Sequence, residues 1–155
     1  MRNLLLGFIL LVGIVGCNND EVIFKQVDTI PDALWSYGDV YDYTFEITDT
    51  NEIYLLLLYL EFSTEYNWEN LYTQIGTTYP NDSTRTDVLS FELASNTGAW
   101  YGDCNTRRCE LNIPLQENVK FQMPGRYRLS FEQYMREEVV EGIEGIGLKV
   151  VVPRP

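Results

Sequence analysis

Cys17, near the amino terminus, stands in a sequence context that predicts a specific covalent modification. It follows an apolar run, Leu4–Val15, with one basic residue ahead of that run, Arg2, and it is immediately preceded by Ile14-Val15-Gly16. A branched apolar residue, small residues and then cysteine form the signal of a bacterial lipoprotein, in which the thiol takes a diacylglycerol before a peptidase cuts. The run is about a dozen residues, short of the roughly 20 that span a bilayer, and its basic start is typical of a secretory signal. We predict a helical signal peptide at 1–16; an uncleaved membrane anchor is the alternative.

Lipid on Cys17 would attach the protein to a membrane. An amino terminus with two or more acyl chains such as palmitate stays on a bilayer, whereas a single chain binds reversibly. Cleavage after residue 16 leaves 139 of the 155 residues, and we expect 17–24 to form a lipidated tether and 25–155 a single domain. The next residue is Asn18. Because Asp there favours inner-membrane retention in enterobacteria, we expect an outer-membrane lipoprotein; the sequence does not indicate on which face.

The two remaining cysteines, Cys104 and Cys109, have four residues between them. In an exported protein an even pair at this hairpin-like spacing predicts a disulfide. Closing so small a loop would stabilise the fold by about 2 kcal/mol on the chain-entropy model. Two free thiols are the alternative. A zinc site is disfavoured, because two thiolates without histidine fill only half of a tetrahedral coordination shell.

The chain has no histidine, which excludes Ser-His-Asp and Cys-His catalysis and every histidine-ligated metal. An enzyme would have to use carboxylates, Tyr, Lys or a bound metal. A glutamate cluster, Glu132, Glu137 and Glu138, is followed by Glu141 and Glu144, and two such carboxylates could flank a glycosidic bond. Because nothing in the sequence indicates a cleft around them, a solvated acidic loop is favoured.

The segment Asp49-Thr50-Asn51 begins like a calcium-binding loop, but the glycine and the later bidentate glutamate of such loops are missing. A turn is the better interpretation, and calcium elsewhere on the acidic surface is the minor alternative. We therefore predict no catalytic residues, no resident metal and no cofactor.

Aromatic residues are the other candidates for binding. Trp35, Tyr37, Trp68, Trp100 and Tyr101 lie in or beside predicted loops. Exposed rings of this kind could stack on sugars or contact a protein partner. The alternative, which we favour, is that they close the ends of the hydrophobic core, since Trp and Tyr bury large areas.

The acidic balance of the chain limits its partners. The net charge of −12 becomes −13 once Arg2 is removed with the signal peptide. Phosphate backbones are bound by clustered Lys and Arg, so we predict no nucleic-acid partner, and the overall charge disfavours an anionic lipid surface as well.

The mature part of the sequence consists of strand patterns separated by Gly, Pro, Asn and Asp, with no amphipathic helix of ten or more residues. About eight strands at this spacing predict an all-β fold, an antiparallel β-sandwich of immunoglobulin-like or jelly-roll-like type. The segments with the strongest patterns are Val40–Thr48, Ile53–Phe62, Leu71–Tyr79, Thr86–Leu93, Leu111–Leu115, Arg126–Tyr134 and Gly147–Val152.

Several segments carry a more specific prediction. Ile53–Phe62 is almost continuously apolar, which favours a strand covered on both faces, with a buried helix as the alternative. Leu111–Leu115 contains Pro114, which suits a short edge strand. We expect a loop at Gly142–Gly145, and a single helical turn could lie within Pro31–Trp35 or within Met135–Val139.

Read in order, the chain resembles the GldH family of gliding-motility lipoproteins of Bacteroidetes from about Trp35 to Val150. The segment that carries the resemblance most specifically is Gly125-Arg126-Tyr127 through Phe131-Glu132-Gln133-Tyr134-Met135-Arg136. The other matching segments are Tyr43–Thr50, Ile53-Tyr54, Asn70-Leu71, Thr86-Asp87, Phe91–Ala94, Gly98–Gly102, Gly142-Ile143 and Gly145–Leu148. Two features depart from the pattern expected of such proteins: Tyr134, where an alanine is expected, and the Cys104 and Cys109 pair.

The resemblance implies a cell-envelope lipoprotein that takes part in gliding, in a group linked to type IX secretion, and it implies no catalytic residues. The leading hypothesis is thus a non-enzymatic, lipid-anchored sandwich whose partners are the membrane and other motility or secretion proteins. The alternative is a glycan-binding surface lipoprotein that uses Trp35, Trp68, Trp100 and Tyr101.

Overall fold

The structure, a computed structural model, describes residues 20–154. Cys17, the predicted signal peptide and the first residues of the predicted tether lie outside the described residues. The described part contains eleven strands and a single 3₁₀ turn. They are, in chain order, β1 (Glu21–Thr29), the 3₁₀ turn (Pro31–Ala33), β2 (Leu34–Ser36), β3 (Tyr41–Ile47), β4 (Tyr54–Ser63), β5 (Asn70–Thr78), β6 (Thr84–Glu92), β7 (Asp103–Cys104), β8 (Arg108–Val119), β9 (Gly125–Gln133), β10 (Val139–Glu141) and β11 (Ile143–Val152).

The strands form two large antiparallel sheets and one small one. The five-stranded sheet has the order β1-β11-β4-β8-β7 and the four-stranded sheet the order β3-β9-β5-β6. The third sheet pairs β2 with β10. The predicted all-β, antiparallel sandwich is therefore confirmed, with eleven strands in the described residues where the sequence indicated about eight.

Alternation along the strands builds the core. In β3 and β9 every second side chain is buried, and the residues between them are mostly exposed. Rings from the two large sheets meet in the middle: Phe24 of β1 lies 6.0 Å from Phe45 of β3, centroid to centroid. The hydroxyl of Tyr43 donates to the carbonyl of Ile146 across the sandwich at 2.9 Å. These inter-sheet contacts bury aromatic area on both inner faces, which is the main stabilising term for such a fold.

The sandwich has two distinguishable ends. We call the end at which β1 starts and β11 finishes the proximal end, because it is next to residue 20 in the chain. Phe121, in the β8–β9 connection, packs there against Tyr54 and Tyr127. At the opposite, distal end β9 finishes and β5 starts. The small β2–β10 sheet lies at this end, since β10 connects the end of β9 to the start of β11.

For the segments with clear alternation, the predicted first and last residues differ from those of the observed strands by at most two. Examples are β3, β5 and β9. β4 is a strand and not a helix, and β5 pairs with β6 as a hairpin. Of the two places predicted for a helical turn, Pro31–Ala33 forms a 3₁₀ turn, whereas Met135–Val139 consists of bends and the first residue of β10.

Four expectations need correction. The first strand starts at Glu21, so it overlaps the predicted tether of 17–24. The predicted short strand at Leu111–Leu115 is the centre of the twelve-residue β8, in which Pro114 coincides with a register shift. The predicted loop at Gly142–Gly145 is mostly strand, since β11 starts at Ile143 and only Gly142, at φ 95°, forms the bend.

The fourth correction concerns β4. Its inner side chains are buried, but Leu55, Leu57 and Tyr59 on the outer face are only half-buried. The prediction that this strand is covered on both faces is wrong for the described residues, because no helix or second sheet lies over the outer face of the five-stranded sheet.

Candidate functional site: an aromatic groove

A groove of about 1210 Å³ lies on the outer face of the four-stranded sheet, at the distal end. Its floor includes Asn70, Tyr72 and Gln74, which alternate with buried residues along β5. Register places Glu132 of β9 and Val88 of β6 on either side of Gln74. Outward-facing positions of three neighbouring strands thus form one continuous surface, fixed by the sheet itself.

One wall of the groove is the segment that follows β9. The backbone N–H of Tyr134 donates to the carbonyl of Tyr72 at 2.8 Å, and the N–H of Tyr72 lies 3.2 Å from the sulfur of Met135. The hydroxyl of Tyr37 donates to the carbonyl of Met135 from the other side. The wall is therefore held mainly by hydrogen bonds to its backbone groups.

Three tyrosine rings and one indole are available in the groove. Tyr37, Tyr72 and Tyr134 are 47%, 45% and 55% exposed. Trp68 is half-buried and packs on Tyr66 with 5.6 Å between ring centroids. Large rigid aromatic side chains with a polar tip are the residues that most often dominate binding surfaces.

A buried glutamine fixes the wall from below. Gln133 is 1% exposed, and its amide nitrogen donates to the carbonyls of Glu137 and Glu138 at 3.2 and 3.3 Å. Its amide oxygen accepts from the N–H of Met135 at 2.9 Å. Opposite it, Thr73 is fully buried, and its hydroxyl has no hydrogen-bond partner among the described residues. The three bonds of Gln133 hold 135–138 in one conformation against the sheet.

Two carboxylates of the predicted glutamate cluster, Glu132 and Glu137, lie in the groove lining. Glu132 accepts a hydrogen bond from the N–H of Gly38 at 2.9 Å. No group of three or more His, Cys, Asp or Glu side chains among residues 20–154 is placed to hold a metal ion. The turn predicted at 49–51 is confirmed, since the Asp49 carboxylate accepts from the N–H of Asn51 at 2.8 Å.

Of the four aromatic residues predicted as contacts, Trp35 is the one that the structure excludes. It is 0% exposed, its indole nitrogen donates to the carbonyl of Asp39 at 2.8 Å, and its ring meets that of Tyr41 edge-on. The pairing of β2 with β10 covers it. Trp35 therefore belongs to the hydrophobic core. This agrees with the interpretation favoured from the sequence, that these aromatic residues close the ends of the core.

The other three predicted contacts lie in different places. Trp68 lines the groove. Trp100 is half-buried against Phe62 at 5.4 Å, and its indole nitrogen donates to the carbonyl of Thr64 at 3.2 Å. Tyr101 is 45% exposed but lies outside the groove lining.

Sequence reasoning missed two groove tyrosines, Tyr72 and Tyr134. Each stands among residues assigned to a strand, so each was treated as part of a sheet. The available signal was alternation: Tyr72 lies between the buried Leu71 and Thr73, which sends its ring to the outer face. Only the pairing of β5 with β9 reveals that the two rings share one surface.

The structure joins Cys104 to Cys109 by a disulfide, with an S–S distance of 2.03 Å. Asn105 organises the turn between them, since its carboxamide oxygen accepts from the N–H groups of Arg107 and Arg108 at 2.9 and 3.0 Å. The bridge joins β7 covalently to β8 at the distal edge of the five-stranded sheet. It lies outside the groove.

Residues 20–154 contain no helix that is long and apolar enough to cross a membrane. Comparison with known proteins gives the family. The family model described as GldH lipoprotein matches residues 22–150. This chain belongs to the GldH lipoprotein family.

Two relatives of the GldH-family protein match along almost their whole length. One, from Flavobacterium johnsoniae, is named gliding motility lipoprotein GldH; it is 26% identical, over 93% of this chain and 94% of its own. The other, from Christiangramia forsetii, is named gliding motility lipoprotein GldH homolog and is 23% identical over 97% of each chain. Among solved structures, one of infectious bursal disease virus aligns with 84% of this chain and 33% of its own at a TM-score of 0.30 and 15% identity.

Family membership implies a lipid-anchored protein of the cell envelope with a role in gliding motility. The segment that carries the resemblance most specifically, Gly125 to Arg136, contributes Glu132, Gln133, Met135 and Arg136 to the groove lining, and Tyr134, which departs from the family pattern, lies among them. This coincidence makes the groove the candidate functional site of the GldH-family chain.

Proposed function

We propose that this GldH-family protein is a non-enzymatic component of the gliding-motility and type IX secretion machinery. Lipid on Cys17 holds it at the outer membrane, and it acts by binding another envelope protein in the aromatic groove. The observation that carries the proposal is the exposure of Tyr37, Tyr72 and Tyr134 in one groove whose floor and wall are fixed by backbone hydrogen bonds.

The groove has the features of a protein-binding surface. Tyrosine loses little conformational entropy on binding because it has only two rotatable side-chain bonds, so preorganised tyrosines bind at low cost. Charged side chains of both signs, Glu132, Arg136 and Glu137, surround the rings. A ring-lined centre with a charged rim is the usual composition of a contact site between proteins.

The position of the groove fits a protein held by its amino terminus. Tyr72 lies six residues from the proximal end of β5, which corresponds to about 20 Å at the usual rise of a strand. The groove is therefore displaced from the tethered end of the domain and accessible to a partner that is itself attached to the envelope.

Replacement of the exposed tyrosines tests the proposal. We expect the double variant Tyr37→Ala and Tyr72→Ala to abolish colony spreading, or type IX secretion in a strain that does not glide, while the protein is still made and still lipidated. Tyr101→Ala is the matched control, because Tyr101 is exposed to the same extent as Tyr72 and lies outside the groove.

Two results would contradict the proposal. Normal spreading and secretion in the double variant would remove the groove from the mechanism. Loss of function in Tyr101→Ala as large as in the double variant would mean that exposed aromatics in general, and not this groove, carry the effect. Thermal unfolding of the purified variants separates loss of binding from loss of fold.

A glycan ligand is the second candidate, favoured by one observation. Asn70 and Gln74 place amide side chains beside the ring of Tyr72 on the groove floor, and rings beside amides suit a sugar that stacks and hydrogen-bonds. A glycan array probed with the purified protein distinguishes the two. Binding that Tyr72→Ala removes and Tyr101→Ala keeps supports the glycan; a blank array leaves the protein partner.

A further inference from the structure

The outer face of the five-stranded sheet has an unusual composition. Register aligns the outward residues of β1, β11 and β4 in three rows, which we call the lysine face. The rows are Val22, Val151 and Leu55; Lys25, Lys149 and Leu57; and Val27, Gly147 and Tyr59. Phe24 of β1 packs inwards on Phe45, which confirms that Lys25 and Val27 face outwards.

Apolar side chains dominate this face, and most of them are exposed or half-buried, although Val151 in the first row is only 1% exposed. Val22 is 51% exposed and Val27 44%, while Leu55, Leu57 and Tyr59 are half-buried. Burial raises the pKa of the Tyr59 phenol, and the nearby Glu61 and Glu110 carboxylates raise it further, so the phenol stays neutral. A contiguous apolar patch on a surface usually marks a contact with a membrane or a partner.

The charges of the lysine face are both positive. The whole chain has three lysines against 23 acidic residues, and two of the three, Lys25 and Lys149, stand directly opposite each other here. Neither ammonium forms a salt bridge within residues 20–154. Like charges opposite each other on a sheet are destabilising unless an anion lies between them.

The chain leading to Cys17 is short. Residues 18–20 are all that separates Cys17 from the start of β1 at Glu21. Four residue steps span at most about 14 Å when fully extended. The anchor required by the proposed function would therefore hold the edge of the five-stranded sheet, on which Val22 and Lys25 lie, within about one strand length of the bilayer surface.

We infer that the lysine face rests on the lipid headgroups, with Lys25 and Lys149 at the phosphates and the flanking Val and Leu side chains at the glycerol level. Lysine is suited to this position because its apolar stem can lie along the hydrocarbon boundary while the ammonium reaches the headgroups. The inference rests on the proposed lipidation of Cys17. The contact itself can be weak, since the anchor keeps the face at a high effective concentration near the bilayer.

Net charge alone argues against this contact, because an acidic chain is repelled by an anionic surface. The outward positions of the three rows include no carboxylate. The next outward residue of β4, Glu61, accepts a hydrogen bond from the Tyr59 hydroxyl at 3.2 Å and forms a salt bridge with Arg108 at 2.5 Å. With this face on the membrane, the aromatic groove on the opposite sheet faces away from it, towards a partner.

The three lysines allow a direct test that leaves the lysine face itself unaltered. Full-length lipidated protein is reconstituted in vesicles of phosphatidylethanolamine and phosphatidylglycerol, treated with a water-soluble N-hydroxysuccinimide ester, and analysed by peptide mass spectrometry. The reference is the mature chain with Cys17→Ser, which carries no lipid. Lys120, exposed in the β8–β9 connection, is the internal control.

The expected result is that acylation of Lys25 and Lys149 slows at least about fivefold on vesicles, because a neighbouring phosphate both shields an ammonium and keeps it protonated. Acylation of Lys120, which lies at the proximal end but outside the lysine face, stays within about twofold of the reference. Equal reactivity of all three lysines, or equal protection of all three, would overturn the inference.

Two further outcomes separate the inference from the proposed function. If the lipidated protein does not float with the vesicles, the anchor at Cys17 fails and the inference fails with it. If it floats and Lys25 and Lys149 react freely, only the inference fails. Protection in whole cells that is absent in pure lipid vesicles would assign the face to a protein and contradict a lipid occupant.

Discussion

The two outer faces of the sandwich differ in how their exposed aromatic and aliphatic side chains are arranged. On the four-stranded sheet, tyrosines line a groove among polar and charged side chains at the distal end. On the five-stranded sheet, aliphatic side chains surround Lys25 and Lys149, and the outward carboxylate of Glu61 follows Tyr59 along β4.

This difference follows from strand composition. β3 and β9 alternate apolar and polar residues, so their outer face is soluble without a covering layer. β4 is apolar at almost every position, and in the sandwich only half of those positions can face the core. A strand with more apolar surface than its own fold buries therefore indicates a surface that another component covers.

We expect the largest effect from loss of the lipid anchor, because without it neither face of the sandwich is oriented relative to the membrane. We expect Cys17→Ser to abolish incorporation of an alkyne-labelled palmitate, because the thiol is the only group that the diacylglycerol transfer can use. The measurement is fluorescence of the labelled band after click coupling. The double variant Cys104→Ser and Cys109→Ser is the control and should label normally; label that persists in Cys17→Ser would refute the anchor.

Adjacent leucines of β4 compare the inner and outer faces directly. Leu58 is fully buried and Leu57 half-buried. We expect Leu58→Ala to lower the free energy of unfolding of the mature chain by about 3 kcal/mol, since it leaves a cavity, and Leu57→Ala by less than about 1 kcal/mol. Urea denaturation gives both values. Equal losses would mean that the outer face is as tightly packed as the core.

The groove wall depends on one buried side chain. Gln133→Ala should lower the free energy of unfolding by about 2 kcal/mol, because it leaves the carbonyls of Glu137 and Glu138 and the N–H of Met135 without their partner. Gln74→Ala, on the groove floor, is the control and should change it by less than about 0.5 kcal/mol. Hydrogen exchange at the Met135 amide should quicken in the first variant only; unchanged exchange would mean that the wall does not need Gln133.

The smallest effect concerns the lysine pair. In the absence of lipid, Lys25→Gln should raise the free energy of unfolding by a few tenths of a kcal/mol, about 0.3, because it removes the repulsion from Lys149. Lys120→Gln should leave it unchanged. A loss of stability in Lys25→Gln would indicate that an acidic group of the protein already neutralises the pair.

The alternation of apolar and polar residues was enough to predict the all-β architecture from the sequence. It could not predict which distant segments pair with each other. β1 was overlooked because a register shift at Val22/Phe24 interrupts its period and because its inward positions include Gln26 and Asp28. Trp35 was placed among possible contacts because its neighbourhood resembles a loop, whereas β10, about a hundred residues later, covers it. The groove required the register of β5 against β9, and no local pattern contains that register.

The account assigns opposite roles to the two faces, and site-specific photo-crosslinking in living cells tests this assignment most directly. A photoreactive phenylalanine analogue is introduced at Tyr134 in the groove or at Leu57 on the lysine face, and the adducts are separated by mass. The account predicts a discrete protein adduct from position 134 and only lipid adducts from position 57. A protein adduct from position 57, with none from position 134, would contradict it.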